Sequence, residues 1–362
     1  MQYLEPRTDV PAKDDWSTGL ILQDLRWGAR ALGAVALVAG AGAAACFFLP
    51  TTPGNVGALV ILSLVALTCG LAPLMYRVET RPRRRGLFDE PWRRLPATVA
   101  ERDDSATDRV LLDGLVLKGW FDDLPDMVLE RQEVFVCGPD ADGRAVVRAA
   151  GFAKWHNAKA DTGEHTARER VERPLLRPLD DEATLRAYKG LRWGARSWLW
   201  SAVPCGVGGA LVLLSLFPLA PAGLVTGGLL LVLGLLGIPT AIEVGRWYRD
   251  AVAAVDNSWQ WTPVPITLFP WKPGQHVAGL ADLPGGLALV QFVVPELDVI
   301  ANIADTGVMW IAGTHGDVIA VGVPKVPVLT FAAVQRDRDV PEEDPIPWIQ
   351  RLRTPDFSGL PR

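Results

Sequence analysis

Leu25-Arg26-Trp27-Gly28-Ala29-Arg30 and Leu191-Arg192-Trp193-Gly194-Ala195-Arg196 are the same six residues, and each copy stands directly before a long uncharged apolar stretch. No Asp, Glu, Lys or Arg occurs from Ala31 to Met75 or from Ser197 to Ile242. About 20 apolar residues cross a hydrocarbon core of roughly 30 Å, so each stretch is long enough for two helices. Pro50, Pro53, Gly54 and Asn55 break the first near its middle; Pro218, Pro221 and Gly223 break the second. Such clusters inside an apolar run read as the turns of helical hairpins. The expected spans are 28–49, 56–76, 194–217 and 222–246. The first 26 residues carry Glu5, Asp9, Asp14, Asp15 and Asp24, unlike the basic start of a signal peptide, so the first span is expected to remain as an anchor.

Lys and Arg near the span ends set the orientation. The hairpin turns have none, whereas Arg26, Arg30, Arg77, Arg81, Arg83, Arg84 and Arg85 flank the first hairpin. Arg186, Lys189, Arg192, Arg196, Arg246 and Arg249 flank the second. Both termini and both large polar segments are therefore expected on the cytoplasmic side of the cell membrane, with Trp27, Trp193, Trp198, Trp247 and Tyr248 at that interface.

Sliding the chain by 166 positions also aligns Gly40 with Gly206, Gly42 with Gly208 and Pro73 with Pro239. Farther on, Val134-Phe135-Val136-Cys137-Gly138 resembles Met309-Trp310-Ile311-Ala312-Gly313 at a shift of 175. The expected fold class is membrane α plus cytoplasmic β, with four transmembrane helices as two duplicated hairpins. Each hairpin is followed by a small β-rich domain, barrel or sandwich-like. The expected divisions are a cytoplasmic N-terminal segment 1–27, hairpin 28–76, β domain 77–152, charged linker 153–193, hairpin 194–246, β domain 247–336 and flexible tail 337–362. An even number of spans per repeat implies parallel repeats about an axis along the membrane normal. Residues 97–100, 109–112, 128–131, 133–137 and 144–147 read as strands of the first β domain. Residues 288–294, 308–311 and 318–321 read as strands of the second.

The sequence offers little chemistry. Cys46, Cys69 and Cys205 fall inside the spans and Cys137 ends a strand; His156, His165, His276 and His315 are scattered. Neither set has metal-site or redox-pair spacing. Asp140-Ala141-Asp142-Gly143 lacks the downstream ligands of a calcium loop and reads as a turn. No catalytic, cofactor-binding or metal residue is assigned and no cofactor is expected. Charge is absent from the spans, where transport of polar cargo usually places it. A net charge of -5 argues against nucleic acid as a partner. The run Arg81-Pro82-Arg83-Arg84-Arg85 fits topology and attraction to anionic lipid. The reading is a non-enzymatic scaffold whose β domains bind a protein partner or one another; the alternative is a transporter or channel subunit. The Ala, Gly, Val, Leu and Arg richness, with little Lys and many Trp, resembles that of multi-pass membrane proteins of high-GC Gram-positive (actinobacterial) type. No functional residue follows from that resemblance.

Overall fold

The computed structural model describes residues 2–100, 107–121, 123–163, 165–169, 177–196, 198–216, 219–271 and 277–335. The chain begins with helices α1 (Trp16–Cys46), α2 (Pro53–Glu79) and the short α3 (Arg81–Arg84). Strands β1 (Arg93–Val99), β2 (Asp108–Leu112) and β3 (Leu115–Gly119) follow. Then come α4 (Leu124–Arg131), β4 (Glu133–Cys137), β5 (Arg144–Arg148) and β6 (His156–Asp161). Helices α5 (Glu182–Gly194), α6 (Trp198–Leu216) and α7 (Pro221–Asp256) lead to β7 (Thr262–Leu268), β8 (Val277–Leu283) and β9 (Gly286–Phe292). Last are α8 (Leu297–Thr306), β10 (Val308–His315), β11 (Val318–Gly322) and β12 (Leu329–Gln335). The tail 337–362 and His276 lie outside the described residues.

The chain divides into two compact units: residues 25–78 with 192–249, and residues 1–24, 79–191 and 250–362. In the first unit, α1, α2 and α7 are long and apolar enough to cross a membrane. The apolar α6 is shorter, at 19 residues. Both α2 and α7 open with proline, whose missing N–H costs nothing in a first helical turn. Asn55 fixes the first turn by donating from Nδ2 to the Pro50 carbonyl at 2.9 Å, and its Oδ1 accepts the Ala222 N–H at 3.1 Å. Glycines set how closely the helices approach. A Cβ at Gly42 would stand 3.1 Å from Leu62 Cδ1, and one at Gly208 would stand 2.6 Å from Leu231 N and 2.8 Å from the Gly227 oxygen. Gly40 comes within ordinary contact of Ala66. Gly206 differs from Gly208: a Cβ added there would meet no neighbouring atom within 4 Å among the described residues.

The second unit contains two closed antiparallel barrels of six strands, ordered β1-β2-β3-β6-β5-β4 and β7-β8-β9-β12-β11-β10. The expected alternative of a sandwich is thereby settled in favour of barrels, whose closure leaves no unpaired strand edge. The ladders match pair by pair. Pro96↔Glu133 and Arg93↔Val136 correspond to Pro265↔Val308 and Thr262↔Ile311; Val147↔His156 corresponds to Val321↔Thr330. One residue farther on the ladders part: Cys137 pairs with Val146, whereas a register shift at Ala312 sets Gly313 opposite Ala320. The β8–β9 hairpin is two residue pairs longer than β2–β3, which explains why the numbering offset between the barrels grows from 169 at β1 to 173 at β3. Unusual backbone recurs as well. Gln132 and Gly307 end α4 and α8 with φ of 57° and 68°, and Gly151 and Lys325 adopt φ of 92° and 64° in the β5–β6 and β11–β12 loops. Gly or a tolerant polar residue is the usual occupant of a left-handed helix end.

Correspondence also extends upstream of the six-residue signature. Asp15 Oδ2 accepts hydrogen bonds from Thr18 N at 2.9 Å and Thr18 Oγ1 at 2.8 Å, capping α1. Asp181 Oδ2 does the same for Thr184 N at 3.2 Å and Thr184 Oγ1 at 2.6 Å, capping α5. Each aspartate follows a short 3-10 turn, Ala12–Asp14 or Pro178–Asp180.

Three expectations need correction. Residues 128–131 are the end of α4, not a strand: Pro125 suits a first helical turn and Gln132 provides the left-handed stop. The supposed charged linker 153–193 holds β6, without which the first barrel would not close, so that barrel runs past 152. The helices overrun the expected spans: α1 starts at Trp16, not 28, and α7 continues to Asp256, not 246, because polar turns extend an apolar helix without interrupting its backbone hydrogen bonds.

Candidate functional site: the seam between the barrels

Both barrels belong to one compact unit and share a single apolar core, which includes Leu117, Val134 and Phe152 from one barrel and Val290, Ile300 and Ile319 from the other. Polar side chains of one barrel meet backbone groups of the other within this contact. Asp298 and Asn302 lie one turn apart on α8, so they share a helix face. Asp298 Oδ1 accepts the Ala153 N–H at 2.7 Å and the Lys154 N–H at 3.2 Å, both from the β5–β6 loop of the other barrel. Asn302 Nδ2 donates to the Gly151 carbonyl at 2.7 Å, and its Oδ1 accepts the Leu4 N–H at 2.9 Å. The Leu4 carbonyl in turn accepts Gly151 N at 2.8 Å, so the N-terminal segment is laced into the same seam. Lys154 Nζ pairs with Glu296 at 3.1 Å on the rim. From the other direction, Lys325 in the β11–β12 loop forms an ion pair with Glu130 of α4.

Burial raises the pKa of Asp298, since removing a carboxylate from water disfavours its charge. A raised folded-state pKa means the folded protein holds this proton more tightly. Its stabilising contribution is therefore full below the unfolded value and falls as pH rises through the folded one. Asp298→Asn keeps the accepting oxygen and removes that pH dependence. Asp298→Ala leaves the buried Ala153 N–H and the part-buried Lys154 N–H without their acceptor, costing about 1–3 kcal/mol. Urea melts of the two variants at neutral pH should separate accordingly; equal melts would refute this role.

A second buried network joins the base of α1 to the first barrel. Arg148 and Asp15 have fully buried side chains 3.5 Å apart (Nη1 to Oδ2). Arg148 also donates to Ser17 Oγ at 2.9 Å and to the Phe152 carbonyl. Trp92 Nε1 donates to Thr18 Oγ1 at 3.2 Å. The second barrel lacks this pair: Gly322 stands at the ladder position of Arg148, and a Cβ there would meet the ring of Trp261, which stands at the position of Trp92, at 3.0 Å.

The residues weighed for chemistry stay apart. Cys46, Cys69, Cys137 and Cys205 are free, and burial pushes the Cys137 thiol up to about 12. His165 approaches Asp161 at 3.5 Å, whereas His156 packs edge-on against Phe121 and Phe152. Asp140 Oδ1 accepts the N–H groups of Asp142 and Arg144, each at 2.9 Å, and Arg85 reaches Asp142 at 3.0 Å, as in a self-contained turn. Among the described residues, no group of three or more His, Cys, Asp or Glu could hold a metal ion. Arg81, Arg83 and Arg84 are exposed on α3. The seam residues escaped the sequence reading. Their one visible signal was a pair of polar residues four apart on the otherwise apolar face of 297–303. No protein-family model matches the chain, and no characterised protein or solved structure is detectably similar to it.

Proposed function

We propose that the chain is a duplicated, four-span protein of the cell membrane, with both termini and both barrels cytoplasmic, acting as a non-enzymatic scaffold for a protein partner. The observation that carries this reading is the pairing of two like-built barrels through a sealed seam, which makes one joint surface rather than two independent modules. Basic flanks on every non-turn side of the hairpins support the orientation. The matched ladders and matched caps support the duplication, and the charge-free apolar character of α6 supports its counting as the fourth span.

Trp120, 72% exposed just past β3, is a side chain suited to anchor a partner, because tryptophans are enriched among the residues that dominate binding energy at interfaces. The test is affinity purification of the tagged full chain from native membranes after mild crosslinking. A stoichiometric partner should accompany the wild type and fall about tenfold with Trp120→Ala, the loss expected for about 1.4 kcal/mol. Absence of any enriched partner with the wild-type chain would overturn the scaffold reading.

A further inference from the structure

The seam contacts are reciprocal. The β5–β6 loop of the first barrel, through Gly151, Ala153 and Lys154, sits on α8 of the second. The β11–β12 loop of the second barrel, through Lys325, sits on α4 of the first. The two helices correspond in the fold, as do the two loops. Between these exchanges the loops meet each other: a Cβ at Gly151 would stand 3.0 Å from Val326 Cγ2, and Gly151 is the backbone counterpart of Lys325, next to Val326. Element i touching j while j touches i, with like touching like in the middle, is the signature of an isologous two-fold interface. Such interfaces ordinarily join two chains. Here both sides belong to one.

We infer that the two halves of this chain are specific partners of each other, bound as a pseudo-two-fold pair through the seam, so that the interface of a homodimer is enclosed in a single polypeptide. This rests on the duplication proposed above. It also assigns roles: Asp298 and Asn302 on one side, Glu130 on the other, read the opposite loop, while the apolar core supplies the bulk of the adhesion. The seam is thereby already occupied, and any outside partner must use a different face.

The experiment uses the full chain with a protease site placed within 170–176 and a tag at the C-terminus, purified in mild detergent. After cleavage, the untagged N-terminal half should remain with the tagged half. Lys325→Glu should lower its recovery at least threefold, and Glu130→Lys combined with Lys325→Glu should restore it. Asn302→Leu, a lesion in the opposite exchange, should lower it comparably. Tryptophan fluorescence before cleavage identifies a variant that does not fold; in that case Lys325→Met replaces Lys325→Glu as the single lesion, with the same expected loss. Separation of the wild-type halves, or full retention in every seam variant, would overturn the inference. Either result can occur while cysteine labelling still places both barrels on one side of the membrane, so failure of the seam is distinguishable from failure of the duplicated topology.

Discussion

Arg148→Met is expected to destabilise the barrel unit by about 3–5 kcal/mol, the usual consequence of removing one partner from a buried ion pair. The reason is asymmetric. Arg148 and Asp15 have no side-chain exposure, so the carboxylate left behind cannot return to water. Ser17 Oγ and the Phe152 carbonyl lose a donor in the same step. Changing both partners, Asp15→Asn with Arg148→Met, should recover part of the loss, because the stranded charge disappears together with its partner. Arg7, ion-paired with Asp9 at 2.5 Å but with both side chains more than half exposed, provides the control: Arg7→Met should leave the melt unchanged. Chemical denaturation followed by tryptophan fluorescence reads all four proteins. A melt for Arg148→Met as close to wild type as that of Arg7→Met would show that the network is not a fastening.

Gly208→Val should disrupt the α6–α7 pairing, whereas Gly206→Val should not. Two residues separate these outcomes. At Gly208 an added Cβ would meet the Leu231 nitrogen and the Gly227 oxygen, and backbone cannot rotate aside as a side chain can. Overpacking of this kind typically costs about 1–3 kcal/mol, and in a membrane the close approach is itself the main attraction between helices. At Gly206 an added Cβ would meet no neighbouring atom within 4 Å among the described residues. Size-exclusion chromatography after graded heating in detergent should show Gly208→Val aggregating at lower temperature, with Gly206→Val following the wild type. Equal tolerance at both positions would contradict the packing described.

The parts of the fold legible in the sequence were those with local signals. Two charge-free stretches behind the same six residues disclosed the apolar helices, and Val134–Val136, Val146–Val147 and Val318–Val321 disclosed strands through their branched side chains. β6 was hidden because His156-Asn157-Ala158-Lys159-Ala160-Asp161 has no apolar face of its own beyond alanine. It is a strand because β3 and β5 supply partners for its backbone on both sides. Val128–Arg131 misled for the opposite reason: a segment that short fits helix and strand alike, and only its flanks decide. The seam was illegible because its partners are remote in sequence. Asp298 meets Ala153 and Lys154, 145 and 144 residues away, and nothing local to any of them announces the pairing. The upstream caps were readable in principle, since Asp14-Asp15 with Thr18 and Asp180-Asp181 with Thr184 keep the spacing of the signature, but two common residue types do not draw the eye.

The most direct test of the duplicated, inward-facing arrangement is cysteine accessibility in intact cells. Single cysteines placed at Thr51 and Leu219, in the two hairpin turns, should react with a membrane-impermeant maleimide added outside. Cysteines at Asp113 and Leu287, both exposed on the barrels, should react only after the membrane is opened. Outside labelling at Asp113 or Leu287, or protection at Leu219 while Thr51 reacts, would contradict it.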